Sequence, residues 1–165
     1  MGNRAVITTQ QGWTCKENNL GLYLHWNGGR DSVEAFLTYC KLHGYRPPES
    51  DNYGWASLAT VISNFFGNDG LSIGLDIVNR LDCKNGDNGV YVIKNWEIVG
   101  RHHQPRGEQH TYDLREFLLA IDKAMPENAR IGDEKIDAYL ALQAESDHVE
   151  EAVKRSLSRA GLLAD

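Results

Sequence analysis

The stretch that most constrains the fold is residues 20–46, LGLYLHWNGGRDSVEAFLTYCKLHGYR. Leu22, Leu24 and Trp26 alternate with Tyr23 and His25, the period of a half-buried strand. Asn27-Gly28-Gly29 then breaks the pattern, because glycine reaches backbone angles that other residues avoid. Beyond the break, Val33, Phe36, Leu37 and Cys40 recur at helical spacing. Asp31 and Glu34 read as a capping box at the helix start. Gly44 is placed to end the helix, and Pro47-Pro48 forbid its continuation. The chain must therefore turn sharply from strand into helix, with Arg30 at the joint.

That joint is also the candidate site. A helix N-terminus offers free backbone N–H groups and a partial positive charge, which suit an anion. Gly28 and Gly29 let a ligand approach the backbone, and Arg30 supplies a forked donor for phosphate or carboxylate. His25, Trp26 and Asn27 border the same corner, and Tyr53 is placed to share a groove with Trp26. The competing reading is a plain strand-to-helix connection, with Asp31 at the helix end and Trp26 in the core. A phosphate loop is excluded, because the glycine spacing and the Lys-Ser/Thr ending are both missing. An enzymatic version would use His25 as base, Arg30 as anion clamp and Asp31 as orienting carboxylate. In a regular strand, however, His25 and Trp26 point to opposite faces.

The rest of the chain supplies few other chemical signals. A formal net charge of −6 argues against direct binding of duplex nucleic acid, which needs clustered Lys and Arg. There is no run of about 18 apolar residues, so no spanning helix and no membrane contact are expected. MGNRAVITTQ lacks a secretory hydrophobic stretch, and Val6 breaks the myristoylation pattern. Cys15, Cys40 and Cys83 are odd in number and form no CxxC pair, which fits a reduced, cytoplasmic setting. The acidic run DCKNGDNG at 82–89 fails as a calcium loop, because Lys84 takes a ligand position. His102, His103 and His110 match no usual zinc spacing. No metal, cofactor or catalytic signature is therefore expected.

The fold expectation is α+β, with an antiparallel sheet of strands 5–9, 20–26, 71–78, 90–93 and 96–99. Helices 32–43 and 51–66 cover one face of that sheet. Asp51 caps the second helix, and Trp55, Leu58, Val61, Ile62, Phe65 and Phe66 form its apolar stripe. Strand 71–78 alternates Leu71, Ile73, Leu75 and Ile77 with polar positions and should bury one face. Residues 1–100 make the body and 101–112, RHHQPRGEQHTY, a polar connector. Residues 113–165 form a helical segment that packs on the body or pairs with a second copy. Within it, Asp113 and Glu116 make a capping box, and a further helix starts near Asp133 and falters at Ser146-Asp147.

MGNRAVIT at 1–8, YLHWNGGRDSVEAFL at 23–37, YGWA at 53–56, NFFG at 64–67 and NGDNGVYVIKNWEIVGR at 85–101 resemble a small protein family of bacteriophages and prophages. That family has no established activity, so the resemblance transfers no catalytic residue. It implies a phage accessory protein in the host cytoplasm, acting on host machinery or defence. Two modes follow: an anti-CRISPR-like protein inhibitor, or capture of a small anionic nucleotide at the joint. The alternatives are a nucleotide- or nucleic-acid-processing enzyme, and an oligomeric structural or regulatory protein paired through 113–165. An open joint favours a ligand or catalysis; a filled joint beside exposed acidic or aromatic surface favours a protein partner.

Overall fold

The structure is a computed structural model, and it describes residues 2–9, 19–67, 72–105, 107–108 and 111–159. Strands β1 (Ala5–Thr8), β2 (Leu20–Leu24), β3 (Ile73–Ile77), β4 (Val90–Lys94) and β5 (Glu97–His102) form one sheet of order β3-β2-β1-β4-β5. The described residues also form helices α1 (Arg30–His43), α2 (Asn52–Phe66), α3 (Leu114–Ala124) and α4 (Asp133–Arg159). The α+β class holds, but the sheet is mixed rather than antiparallel. β1 pairs parallel with β4, while β1–β2, β2–β3 and β4–β5 are antiparallel. The reason is the route: α1, α2 and β3 intervene between β2 and β4, so the chain re-enters beside β1 in the same direction.

β1 is the central strand and all four of its residues are buried. Alternation sends its side chains to two separate layers. Val6 joins Val78, Cys83 and Val90 in a small cluster on one face, with Tyr23 and Leu81 packed against it. Gly21 makes room for that cover, since a Cβ there would meet Leu81 Cδ1 at 2.8 Å and Val78 Cγ2 at 3.0 Å. On the helix layer's side, Phe36 sits against Phe65 and Phe117, at ring separations of 5.3 and 5.5 Å. The layer thus has three helices, not two: α3 buries Phe117, Leu118 and Ile121. The buried Tyr39 hydroxyl donates to Asp122 Oδ1 at 2.6 Å, a further tie between α1 and α3.

Several local expectations shift for tertiary reasons. β3 is an edge strand, so its apolar positions are only partly covered and Leu75 is exposed. Asn95 and Trp96 both have positive φ, so Trp96 belongs to the hairpin turn rather than to β5. A bulky residue at positive φ is strained. Here Trp96 is buried and its Nε1–H donates to Tyr45 O at 2.9 Å, which holds it in place. Asp51 caps α2 as expected, accepting from Tyr53 N. Asp113 likewise caps α3, accepting from Glu116 N. Cys40 and Cys83 are buried thiols; Cys15 lies outside the described residues.

The chain divides into two compact units, Met1–Ile131 and Gly132–Asp165. In the second, α4 runs without interruption through Ser146-Asp147. It exposes Leu142, Val149, Val153 and Leu157, and carries the i,i+4 pairs Glu150–Lys154 and Glu151–Arg155. No described helix is long and apolar enough to cross a membrane.

Deleting α3 would strip the aromatic cover from Phe36 and leave Tyr39 without its carboxylate. A chain ending at Tyr112 is therefore expected to lose cooperative unfolding, and one ending at Ile131 to keep it. Urea titrations followed by fluorescence and circular dichroism would check this. A sharp transition in the shorter chain would show that α1 and α2 suffice.

Candidate functional site

The strand-to-helix joint is built on the backbone of the chain's first residues. Asn3 N donates to His25 O at 3.0 Å, and Gly28 N donates to Asn3 O at 2.7 Å. A Cβ on Gly28 would lie 2.6 Å from Asn3 O and 2.7 Å from Ala5 N. The group that approaches Gly28 is thus the chain's own backbone. Asn27 takes positive φ, which asparagine tolerates in turns. Gly29, not Asp31, is the N-cap of α1, and no side chain caps that end.

Asp31 instead stands inside the first turn and binds the connector. Its Oδ2 accepts from Thr111 N at 2.5 Å, Thr111 Oγ1 at 3.2 Å and Tyr112 N at 3.0 Å, while Oδ1 accepts from Ser32 N at 2.7 Å. Arg30 is likewise engaged within the chain. Its Nε donates to Glu34 Oε1 at 2.7 Å and its Nη1 to Glu108 Oε1 at 2.6 Å. Partial burial works against the Arg30 charge, but Glu108 and Glu34 more than offset it, so its pKa rises. The joint is therefore filled by the chain's own carboxylates.

Beneath Glu108 lies a pair the sequence reading did not single out. Tyr91 on β4 is the cross-strand partner of Arg101 on β5, and the two share one face. The Arg101 guanidinium sits 5.3 Å from the Tyr91 ring centroid, and its Nη1 is 4.0 Å from Glu108 Oε1. Arg101 Nε donates to Asn88 O at 3.0 Å. Tyr91 is fully buried, and its hydroxyl has no hydrogen-bond partner among the described residues. Leaving such a group unmatched costs about 1–3 kcal/mol. Burial pushes its pKa up to about 12; the nearby Arg101 and Arg30 pull against that, and Glu108 and Asp31 add to it.

The other named residues divide between two places. His25 Nδ1 lies 3.2 Å from the Tyr23 hydroxyl, and its ring meets Trp26 edge-on at 5.1 Å. Trp26 is not core; it is 44% exposed. Tyr53 is exposed on the first turn of α2, with the Arg46 guanidinium 5.0 Å from its ring. Its ring faces Arg46, whereas that of Trp26 meets His25. His25, Arg30 and Asp31 each turn to different partners. His110 lies outside the described residues, and no described group of three His, Cys, Asp or Glu could hold a metal ion. The 82–89 loop is organised by buried Asn85, which binds Asp82 O, Gly89 O, Asp87 N and Gly89 N.

Beside the filled joint opens a cleft of about 480 Å³. Phe65, Phe117 and Tyr112 line it, together with Asn27 and Thr111 and with Asp113 and Glu116. Its aromatic lining is the edge of the core cluster: Phe65–Phe117 and Tyr112–Phe117 separations are 5.0 and 5.2 Å. Volumes of this order hold a small molecule or a few side chains. The only sequence signal for the Glu108 contact was that Glu108 is the lone acid between Glu97 and Asp113. Comparison of the chain with protein-family models, curated proteins and solved structures finds no match.

Asp31→Ala is expected to cost roughly 1–3 kcal/mol, through the connector rather than through the cap of α1. Urea denaturation gives the magnitude. Amide hydrogen exchange locates it, with Thr111 and Tyr112 losing protection while Val33, bonded to Gly29 O, keeps it. Loss at Val33 alone would restore the capping role. A second expectation concerns alkaline pH. Tyr91 has a raised folded pKa, so its contribution to stability is complete below the ordinary phenol value of about 10. It falls as pH rises from there towards about 12. Tyr39, raised by burial and by Asp122, acts with the same sign. Denaturation midpoints across that range should decline in wild type and decline less in Tyr91→Phe.

Proposed function

We propose that this protein is a non-enzymatic binding protein of phage or prophage origin that docks on a host protein through the cleft beside the joint. One observation carries the docking reading. The joint is filled by Asp31, Glu34 and Glu108, while the adjoining cleft presents the exposed Tyr112, the half-buried Phe65 and two exposed carboxylates, Asp113 and Glu116, above the buried Phe117. Of the lining rings, Tyr112 is exposed. Aromatic residues anchor protein interfaces because they bury large areas with few rotors. The partner group that fits is a Lys or Arg side chain, whose apolar stem lies on the rings while its charge meets the carboxylates. The net charge of −6 favours a basic surface and speeds its approach at low salt.

A counter-defence role, including an anti-CRISPR-like one, rests on the phage resemblance of residues 1–101 alone. Self-association through α4 is a second reading, favoured by exposed Leu142, Val149, Val153 and Leu157.

Affinity capture from the host, using wild type and Tyr112→Ala with Glu116→Lys, tests docking. A host protein held by wild type is expected to be lost from the folded variant, and wild-type capture should weaken with salt. Equal capture by both would move the interface elsewhere. Light scattering of wild type and of Val149→Glu with Val153→Glu decides the α4 reading: a dimer that becomes a monomer supports it.

A further inference from the structure

Helix α4 joins two patterns on one surface. At 3.6 residues per turn, Leu142, Val149, Val153 and Leu157 fall within about 80° of one another. All four are exposed, by 37% to 64%. Ile136, the buried residue of the helix, points about 100° away from the centre of that stripe, so the stripe is a separate face. Charge is divided along the same 27 residues. Residues 133–151 carry seven acids and one lysine, whereas 152–159 carry Lys154, Arg155 and Arg159 and no acid. The helix dipole accounts only for acids in the first turn. Glu145 and Asp147 lie mid-helix, beyond its reach.

We infer that α4 pairs with α4 of a second copy of this chain, antiparallel, about a two-fold axis. The charge order decides the occupant. A uniformly basic partner would suit residues 133–151 and be repelled by the basic end; a uniformly acidic one would fail in the reverse way. A parallel second copy would set acids on acids. The helix that complements the whole length is α4 itself, run in the opposite direction. Leu142 and Val149 of one copy then lie against Val153 and Leu157 of the other. Glu145 and Arg159 occupy one flank of the stripe, and Glu150 and Lys154 the other. A two-fold axis brings like flanks together, so the basic end of each copy meets the acids of the other. The pairs formed within one helix, Glu150–Lys154 and Glu151–Arg155, are exposed and worth little alone, so they do not oppose the exchange. Two-fold pairing closes on itself, which stops the assembly at a dimer. The antiparallel pair rests on self-association through α4 and specifies its direction; it is independent of docking at the cleft.

Sedimentation equilibrium over a range of concentrations tests the direction. The proteins are wild type, Lys154→Glu with Arg159→Glu, Glu145→Lys with Glu150→Lys, and all four changes in one chain. Wild type is expected to dimerise. Each end reversal should weaken the dimer about tenfold, and the four together should restore it to within a few fold of wild type. In a parallel pair, reversing one end only exchanges one like-charge contact for another. Equal dissociation constants for wild type and both end reversals would therefore overturn the antiparallel pair while leaving self-association in place. A wild type that stays monomeric up to roughly 1 mM would overturn both. Should circular dichroism show that an end-reversed variant has lost helix, wild type decides by itself. Its dimer should loosen as salt rises, because screening weakens the attraction between opposite charges. A dimer that holds or tightens with salt would reject the pairing.

Discussion

The architecture depends on how the backbone of residues 3–8 is paired. Asn3 binds His25 and Gly28 on one side, fixing where β2 ends and where α1 can begin. On the other side, Asn88 N donates to Arg4 O, Val6 N donates to Gly89 O, and Arg4 N and Nε donate to Asp87 Oδ2. These contacts bring the 82–89 loop against the chain's start and set β4 parallel to β1. Gly89 is the residue that permits it. It has φ of +71°, and a Cβ would lie 2.2 Å from His102 O. An asparagine- and glycine-rich loop that looks like a surface connector is therefore part of the sheet's foundation.

From that pairing follows the placement of charge. With β4 beside β1, Tyr91 and Arg101 come under the start of α1, where Arg30 and Asp31 emerge. The connector then returns across the same corner and is held by Asp31 and Arg30. Its last residues lead straight into α3, whose Phe117 closes the aromatic cluster with Phe36 and Phe65. The filled joint, the cleft wall and the core packing thus draw on nearby residues of the chain, Glu108, Thr111, Tyr112 and Phe117. A substitution at Asp31 acts on all three, because the residues it holds line the cleft.

What the sequence by itself determined was local. Period, caps and breakers located all five strands and the helices, because those signals are carried within a few residues. Asp51, Asp113, Gly44 and Gly67 stand at helix ends as their chemistry requires. Tertiary structure decided what lies far apart in the chain. The parallel β1–β4 pair joins residues more than eighty positions apart, and Arg30 meets Glu108 across 78. Gly28 was legible as a special residue, but its reason is a backbone neighbour from Asn3 to Ala5 that no local pattern encodes. Asp31 carries the side chain of a cap, yet the connector offers its carboxylate N–H groups and a hydroxyl from Thr111 and Tyr112. Trp26 and Trp96 show the same division. Sequence left Trp26 open between site and core and placed Trp96 in a strand; Trp96 found a cover and a carbonyl for its ring N–H, while Trp26 lies past the last paired residue of β2 and remains exposed.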